Sequence, residues 1–235
     1  MGALCLAITG SPAPLEAQAE RVLVFTKTAG FRHESIPAAV TALRGLAERH
    51  DLAVDHTEDA AAFSEANLGR YRAVVFANTT GDVLGDAEQR AFEDYIGGGG
   101  GYLGVHAAAD TEYGWPWYGA LVGAYFRSHP PGLQTGTVTF VSPAGGGRRW
   151  RVTDEFYNFR RNPRPRVEVI ATLDERTYRG GEMGDDHPIA WCQSFAGGRS
   201  WYTGLGHRPE LYADPTFVGH LERGLLFAAG HADTC

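Results

Sequence analysis

The chain predicts an α/β fold with a mostly parallel central sheet flanked by helices, and with antiparallel strands added in its carboxyl-terminal half. Two observations predict it. Short β-branched runs alternate with segments of helical periodicity as far as Ala107, the pattern of parallel βαβ units. Beyond Ala107 the helices thin out, and short strands follow one another across Gly- and Pro-rich turns. A third observation bounds the answer: 235 residues, 43% hydrophobic and 21% charged, suffice for one substantial core, so residues 21–232 read as a single domain.

The elements follow in order. Residues 21–26 form an apolar run for a first strand, and residues 35–49 carry Ile36, Val40, Leu43, Leu46 and Ala47 at helical spacing. Strands are expected at 53–57 and 73–77, a helix opened by Asp86 over 86–96, and a fourth strand over 101–105 at the close of the glycine run 97–101. Residues 113–131 read as an aromatic, Gly/Pro-rich loop. Further strands are expected at 136–141, 167–173, 189–195 and 199–203. Asp214-Pro215 then starts a closing helix whose apolar stripe is Phe217, Leu221, Leu225, Leu226 and Phe227.

Residues 1–20 read as a leader or partial signal peptide. Residues 2–10 are apolar, 11–14 are small and rich in breakers, and Ala17-Gln18-Ala19 is a small-x-small step, although a positively charged start is missing. Export to a periplasmic or extracellular location is the expectation, with the cytoplasm the alternative. The net charge is −7 and the longest basic runs are pairs, which argues against nucleic acid as a partner. No apolar run approaches the about 20 residues that cross a bilayer. Cys5, Cys192 and Cys235 are odd in number and widely spaced, and form no zinc or disulfide pattern.

The nine histidines carry the functional signal. Five sit in loop words beside Gly, Pro or acidic residues: Arg32-His33-Glu34, Val105-His106-Ala107, Ser128-His129-Pro130, Asp186-His187-Pro188 and Gly206-His207. Ligands of open α/β sheets bind at the carboxyl ends of the strands, which is where His33 and His106 fall. Imidazole titrates nearest neutrality and is the commonest metal ligand, so His106 and His33 are candidate bases or ligands. Glu34 and Ser35 could instead cap the helix that follows. In Asp154-Glu155-Phe156-Tyr157 an extended backbone would put Glu155 and Tyr157 on one face, and a solvated turn is the alternative. His187 and His207 flank later strands. None of these pairs has the spacing of a known zinc motif, so a divalent metal is one reading and its absence another. Trp115 and its aromatic neighbours could line a sugar, fill the core, or form an interface in a homo-oligomer. His50, His56, His220 and His231 receive no role.

Taken together, Phe31-Arg32-His33-Glu34-Ser35-Ile36, Gly104-Val105-His106-Ala107-Ala108, Phe126 with Ser128-His129-Pro130, Asp154-Glu155-Phe156-Tyr157, His187-Pro188-Ile189-Ala190-Trp191, Gly197-Gly198-Arg199 with Tyr202-Thr203, and Gly206-His207 resemble the ThuA-like (trehalose utilisation) family over about residues 21–230. The resemblance implies a flavodoxin-like fold of the class I glutamine amidotransferase type, without glutaminase activity because His106 stands where the cysteine would be. It implies a part in the catabolism of trehalose and related disaccharides, including 3-keto-glycosides made by a partner dehydrogenase. The matching residues are His33, Glu34, His106, His129, Glu155, Tyr157, His187 and His207.

The expected function is acid/base chemistry on a (keto-)disaccharide or glycoside. His106, His33, Glu155 and His187 are the candidate catalytic residues, and Glu34, His129, Tyr157, His207 and Trp115 the candidate substrate contacts. The alternatives are a non-catalytic sugar- or metal-binding module on the same fold, and a metal-dependent hydrolase of another substrate class.

Overall fold

In the computed structural model, which describes residues 19–141 and 146–235, the parallel and antiparallel halves form one continuous sheet. The amino-terminal half contributes β1 (Arg21–Phe25), α1 (Ile36–Glu48), β2 (Ala53–Thr57), α2 (Glu65–Leu68), β3 (Ala73–Ala77), α3 (Asp86–Gly97) and β4 (Gly101–Val105). Then follow α4 (Pro116–Val122), β5 (Phe126–Ser128), β6 (Gln134–Phe140), β7 (Arg149–Asp154), β8 (Asn158–Phe159), β9 (Glu168–Asp174), β10 (Pro188–Phe195), β11 (Gly198–Thr203) and α5 (Pro215–Ala229). The nine-stranded order is β2-β1-β3-β4-β11-β10-β9-β6-β7, with β5 and β8 paired separately. Strands β2 through β11 in that order run parallel, and every pair from β11 to β7 is antiparallel.

The inner parallel strands are buried on both faces, as a sheet covered by helices on each side requires: β3 and β4 are buried at every residue. Packed on them, Phe25, Phe63, Phe76 and Phe92 form a chain of ring contacts at 4.7–5.7 Å. Helix α5 starts as its sequence predicts: Asp214 accepts hydrogen bonds from the amides of Thr216 (2.7 Å) and Phe217 (3.2 Å), Pro215 follows, and Gly230 closes it at φ 77°.

Besides the short α2, β5 and β8, which the sequence pattern does not mark, three features depart from the expectation. β7 has no counterpart in the sequence pattern, because Arg149 and Arg151 interrupt its apolar residues. It is the edge strand, where outward arginines discourage further pairing. Pro116 at the first turn of α4 starts a helix inside the segment that reads as loop. Cys192 on β10 and Cys235 are joined by a disulfide, with Cα atoms 6.3 Å apart across 43 residues. The tertiary fold, rather than sequence spacing, brings that pair together. The expected leader lies outside the described residues apart from Ala19 and Glu20.

Candidate active site at the carboxyl edge of the sheet

Because β1, β3, β4 and β11 are parallel, the loops after them open on one edge. They deliver His33, Asn78, His106 and His207 there. His106 turns off β4 at φ 50° and Asn78 turns off β3 at φ 56°, left-handed backbone that tightens both turns. The Asn78 amide donates to the Ser35 hydroxyl (3.0 Å), and Ser35 donates to the Gly206 carbonyl (3.1 Å). Ser35 therefore does not cap α1 with its side chain, contrary to the sequence expectation, but ties the His33 loop to the His207 loop. The fully buried Asp154 strengthens the tie by accepting from the amides of Gly206 (2.8 Å) and Arg208 (3.3 Å).

Glu155 points the other way from Asp154 and lies at the centre of the imidazoles. Its Oε2 is 3.4 Å from His106 Nε2 and 3.3 Å from His207 Nδ1, and its Oε1 is 3.3 Å from His129 Nδ1. His33 completes the group, its ring edge-on to those of His106 (4.9 Å) and His207 (5.1 Å). The side chains of His106 and Glu155 are 0% and 11% exposed, whereas that of His129 is 37% exposed and meets solvent. Tyr157 lies against His106 at 4.2 Å between ring centres, and Phe126 against Tyr157 at 4.2 Å. Phe31, 65% exposed, stands beside His33 at 4.9 Å.

The ring of His106 is fixed by its Nδ1–H, which donates to the Gly204 carbonyl at 2.9 Å and leaves Nε2 as the nitrogen that faces Glu155. His33 Nδ1, His106 Nε2 and His207 Nδ1 are all buried without a hydrogen-bond partner among the described residues. Burial and the neighbouring imidazoles push the pKa of His33 down to about 3, so its ring is neutral. Burial alone would raise the pKa of Glu155, but His106 and His207 outweigh it and hold the carboxyl well below the usual range. The same carboxylate raises the pKa of His207 against the effect of burial. Four imidazoles grouped around an ionised carboxylate, one of them neutral and one exposed, can bind a cation, or exchange protons with a polar ligand.

Sequence reasoning singles out residues that the structure places elsewhere. His187 is buried behind Tyr157, with Nε2 on the Tyr157 carbonyl (2.9 Å) and Nδ1 on the Glu175 carboxylate (2.8 Å), so neither nitrogen is free for a ligand. Trp115 donates to Glu93 (2.8 Å) and stacks on Trp117 at 5.1 Å, packing α4 rather than lining the cluster. Glu34 is exposed and acts on the group only through the field it adds at His207. Conversely, sequence reasoning misses Asp110. It follows His106 in the same short 3-10 turn, accepts from the Tyr113 hydroxyl at 2.6 Å, and has its pKa raised by burial. Its position four residues past His106 is the available signal.

Comparison with known proteins agrees with the fold and the motif words. A family model described as ThuA, trehalose utilisation, matches residues 21–228. A ThuA-like protein from Bacteroides uniformis is 25% identical with a TM-score of 0.75, covering 93% of this chain and 95% of its own. A second, from Parabacteroides merdae, is 20% identical with a TM-score of 0.72 and 93% coverage of both chains. A β-galactosidase from Bacillus circulans shares the fold alone, at 13% identity and a TM-score of 0.57, over 92% of this chain and 32% of the enzyme. No curated protein matches. With its strand order, its loop histidines and a family match over nearly the whole described domain, the chain belongs to the ThuA trehalose-utilisation family.

Proposed function

We propose that the protein is a carbohydrate-catabolism enzyme that acts by acid/base chemistry on a (keto-)disaccharide or glycoside. The observation that carries this reading is Glu155, ionised and nearly buried, with an exposed imidazole on one oxygen and a buried and a partly exposed imidazole on the other. A carbonyl in the sugar acidifies the neighbouring C–H. A base removes that proton to give an enolate, whose electron pair then returns to form a carbon–carbon double bond to the anomeric carbon, and the glycosidic oxygen leaves with the pair of the broken C–O bond as it gains a proton.

Exposure separates the roles that the sequence leaves joined. His106 and His33 are more deeply buried than Glu155, whereas His129 is open to solvent. The Nδ1–H of His129 is placed to donate to the Pro130 carbonyl at 2.8 Å, which leaves Nε2 free to accept a substrate proton. Phe31 and Phe126 supply apolar ring faces of the kind that lie against sugar C–H groups. The Cys192–Cys235 disulfide supports an oxidising compartment and hence export.

The test is to follow purified protein by NMR with a panel of 3-keto-disaccharides and their parent sugars. Consumption of the keto forms is expected, with His129→Gln slowing turnover about 100-fold or more, the scale of a lost acid/base group. Ligand-induced thermal stabilisation without product would overturn the enzyme reading in favour of a sugar-binding module.

A further inference from the structure

We infer that His33, His106, His207 and Glu155 together bind one divalent first-row transition-metal ion, with zinc the best fit. The inference concerns the same cluster but does not depend on the sugar chemistry proposed above. One ligand atom from each of the four residues lies within 4.8 Å of the other three. The two spacings around Glu155 Oε2, 3.3 and 3.4 Å, equal the edge of a tetrahedron whose centre is 2.0–2.1 Å from each corner, the length of a zinc–nitrogen bond; that edge is about 3.3–3.4 Å.

A hydrogen-bonded histidine–glutamate network explains the cluster less well. His106 Nε2 and His207 Nδ1 face the carboxylate without hydrogen-bond geometry, and His33 Nδ1 faces no acceptor among the described residues. Each orphaned buried polar atom costs about 1–3 kcal/mol, and a single cation would satisfy all three. The three rings meet edge to face, at interplanar angles of 77–90°, rather than stacking, and their ligand atoms lie close together.

The supporting contacts also fit. A ligating histidine usually gives its second N–H to a carbonyl or carboxylate, and the His106 bond to the Gly204 carbonyl is of that kind. Three imidazoles and one carboxylate suit zinc, iron, cobalt or manganese and disfavour calcium and magnesium, which take oxygen ligands. Glu155 uses Oε2 toward the ion and keeps Oε1 for His129, so metal and exposed imidazole share one carboxylate. Among the described residues, the other cluster of metal-ligating types, Glu168 with Cys192 and Cys235, has both sulfurs committed to the disulfide.

The experiment is elemental analysis of the purified full chain, then titration of chelator-stripped protein with zinc, cobalt(II) and magnesium by calorimetry. The expected result is one zinc or cobalt ion per chain, no magnesium binding, and a cobalt absorption band of four- or five-coordinate type. His207→Gln and Glu155→Gln should weaken zinc by more than the about 10–100-fold that loss of a supporting partner costs, while the surface variant His231→Gln binds as wild type. Circular dichroism of each apo variant establishes folding, and His33→Gln substitutes for any variant that does not fold. Wild-type protein that takes up no zinc or cobalt, or folded His207→Gln and Glu155→Gln proteins that bind as tightly as wild type, would overturn the inference. A zinc-loaded protein inert toward every keto-sugar would instead overturn the proposed function and leave the metal site standing.

Discussion

At the scale of single residues, the same side chain serves opposite purposes according to what surrounds it. His106 is wholly buried yet keeps one nitrogen uncommitted, while His220 is almost as buried, shares a hydrogen bond with the Thr203 hydroxyl (3.2 Å), and packs on Trp201. Burial, with the fields of Arg223 and Arg148, pushes the pKa of His220 down to about 3, against about 6.5 in an unfolded chain. Below pH about 6.5 the unfolded state therefore takes up a proton that the folded state refuses. The stability present above that pH is lost as pH falls toward 3, by up to about 1.4 kcal/mol per pH unit. Denaturant midpoints of His220→Gln should fall less steeply than wild type between pH about 6 and 4. An unchanged slope would mean that another group governs acid unfolding.

The same comparison explains which site residues are legible in the sequence. Strand-end logic assigns the loop words of His33 and His106 to one edge, and the fold brings those of His129 and His207 from the second half to join them around Glu155. His187 stands in an equivalent word, but Glu175 and Tyr157 occupy both its nitrogens, and nothing local to Asp186-His187-Pro188 announces that. Asp110 and the Asp154 clasp escape notice for the converse reason, since their partners lie 3 to 54 positions away and only the folded chain brings them together.

At the scale of elements, periodicity finds the strands buried on both faces and the long amphipathic helices, and misses the elements whose pattern is broken by position. β7 is an arginine-bearing edge, and α4 is short and aromatic. The glycine run shows why small residues matter between elements. A Cβ on Gly101 would meet the backbone carbonyl of Ala228, so β4 can carry α5 this closely only without a side chain there. Gly101→Ala is expected to cost at least about 3 kcal/mol, since a helix backbone cannot yield as a side chain would. Gly45 is the counterexample within α1: a methyl group added there would meet nothing within 4 Å, and Gly45→Ala should stabilise by about 1 kcal/mol. Thermal unfolding of the two variants checks both signs.

At the scale of the whole molecule, the disulfide pins the segment after α5 to β10 and closes a 43-residue span. Reduction, or Cys235→Ser, should lower stability by about 2–4 kcal/mol on the chain-entropy account. Unfolding with and without reductant measures it, and identical transitions would show that the bridge constrains little. The strand order has a consequence for how the protein is made. β11 comes last along the chain among these strands, yet it lies fifth of nine, hydrogen-bonded to β4 on one side and β10 on the other. A chain ordered only as far as Phe195 would hold two partial sheets, each with a bare inner edge ready to pair with the wrong strand. The sheet is closed at its middle by the last of its strands, so a folding chain stays open to mispairing until residues 198–203 take their place.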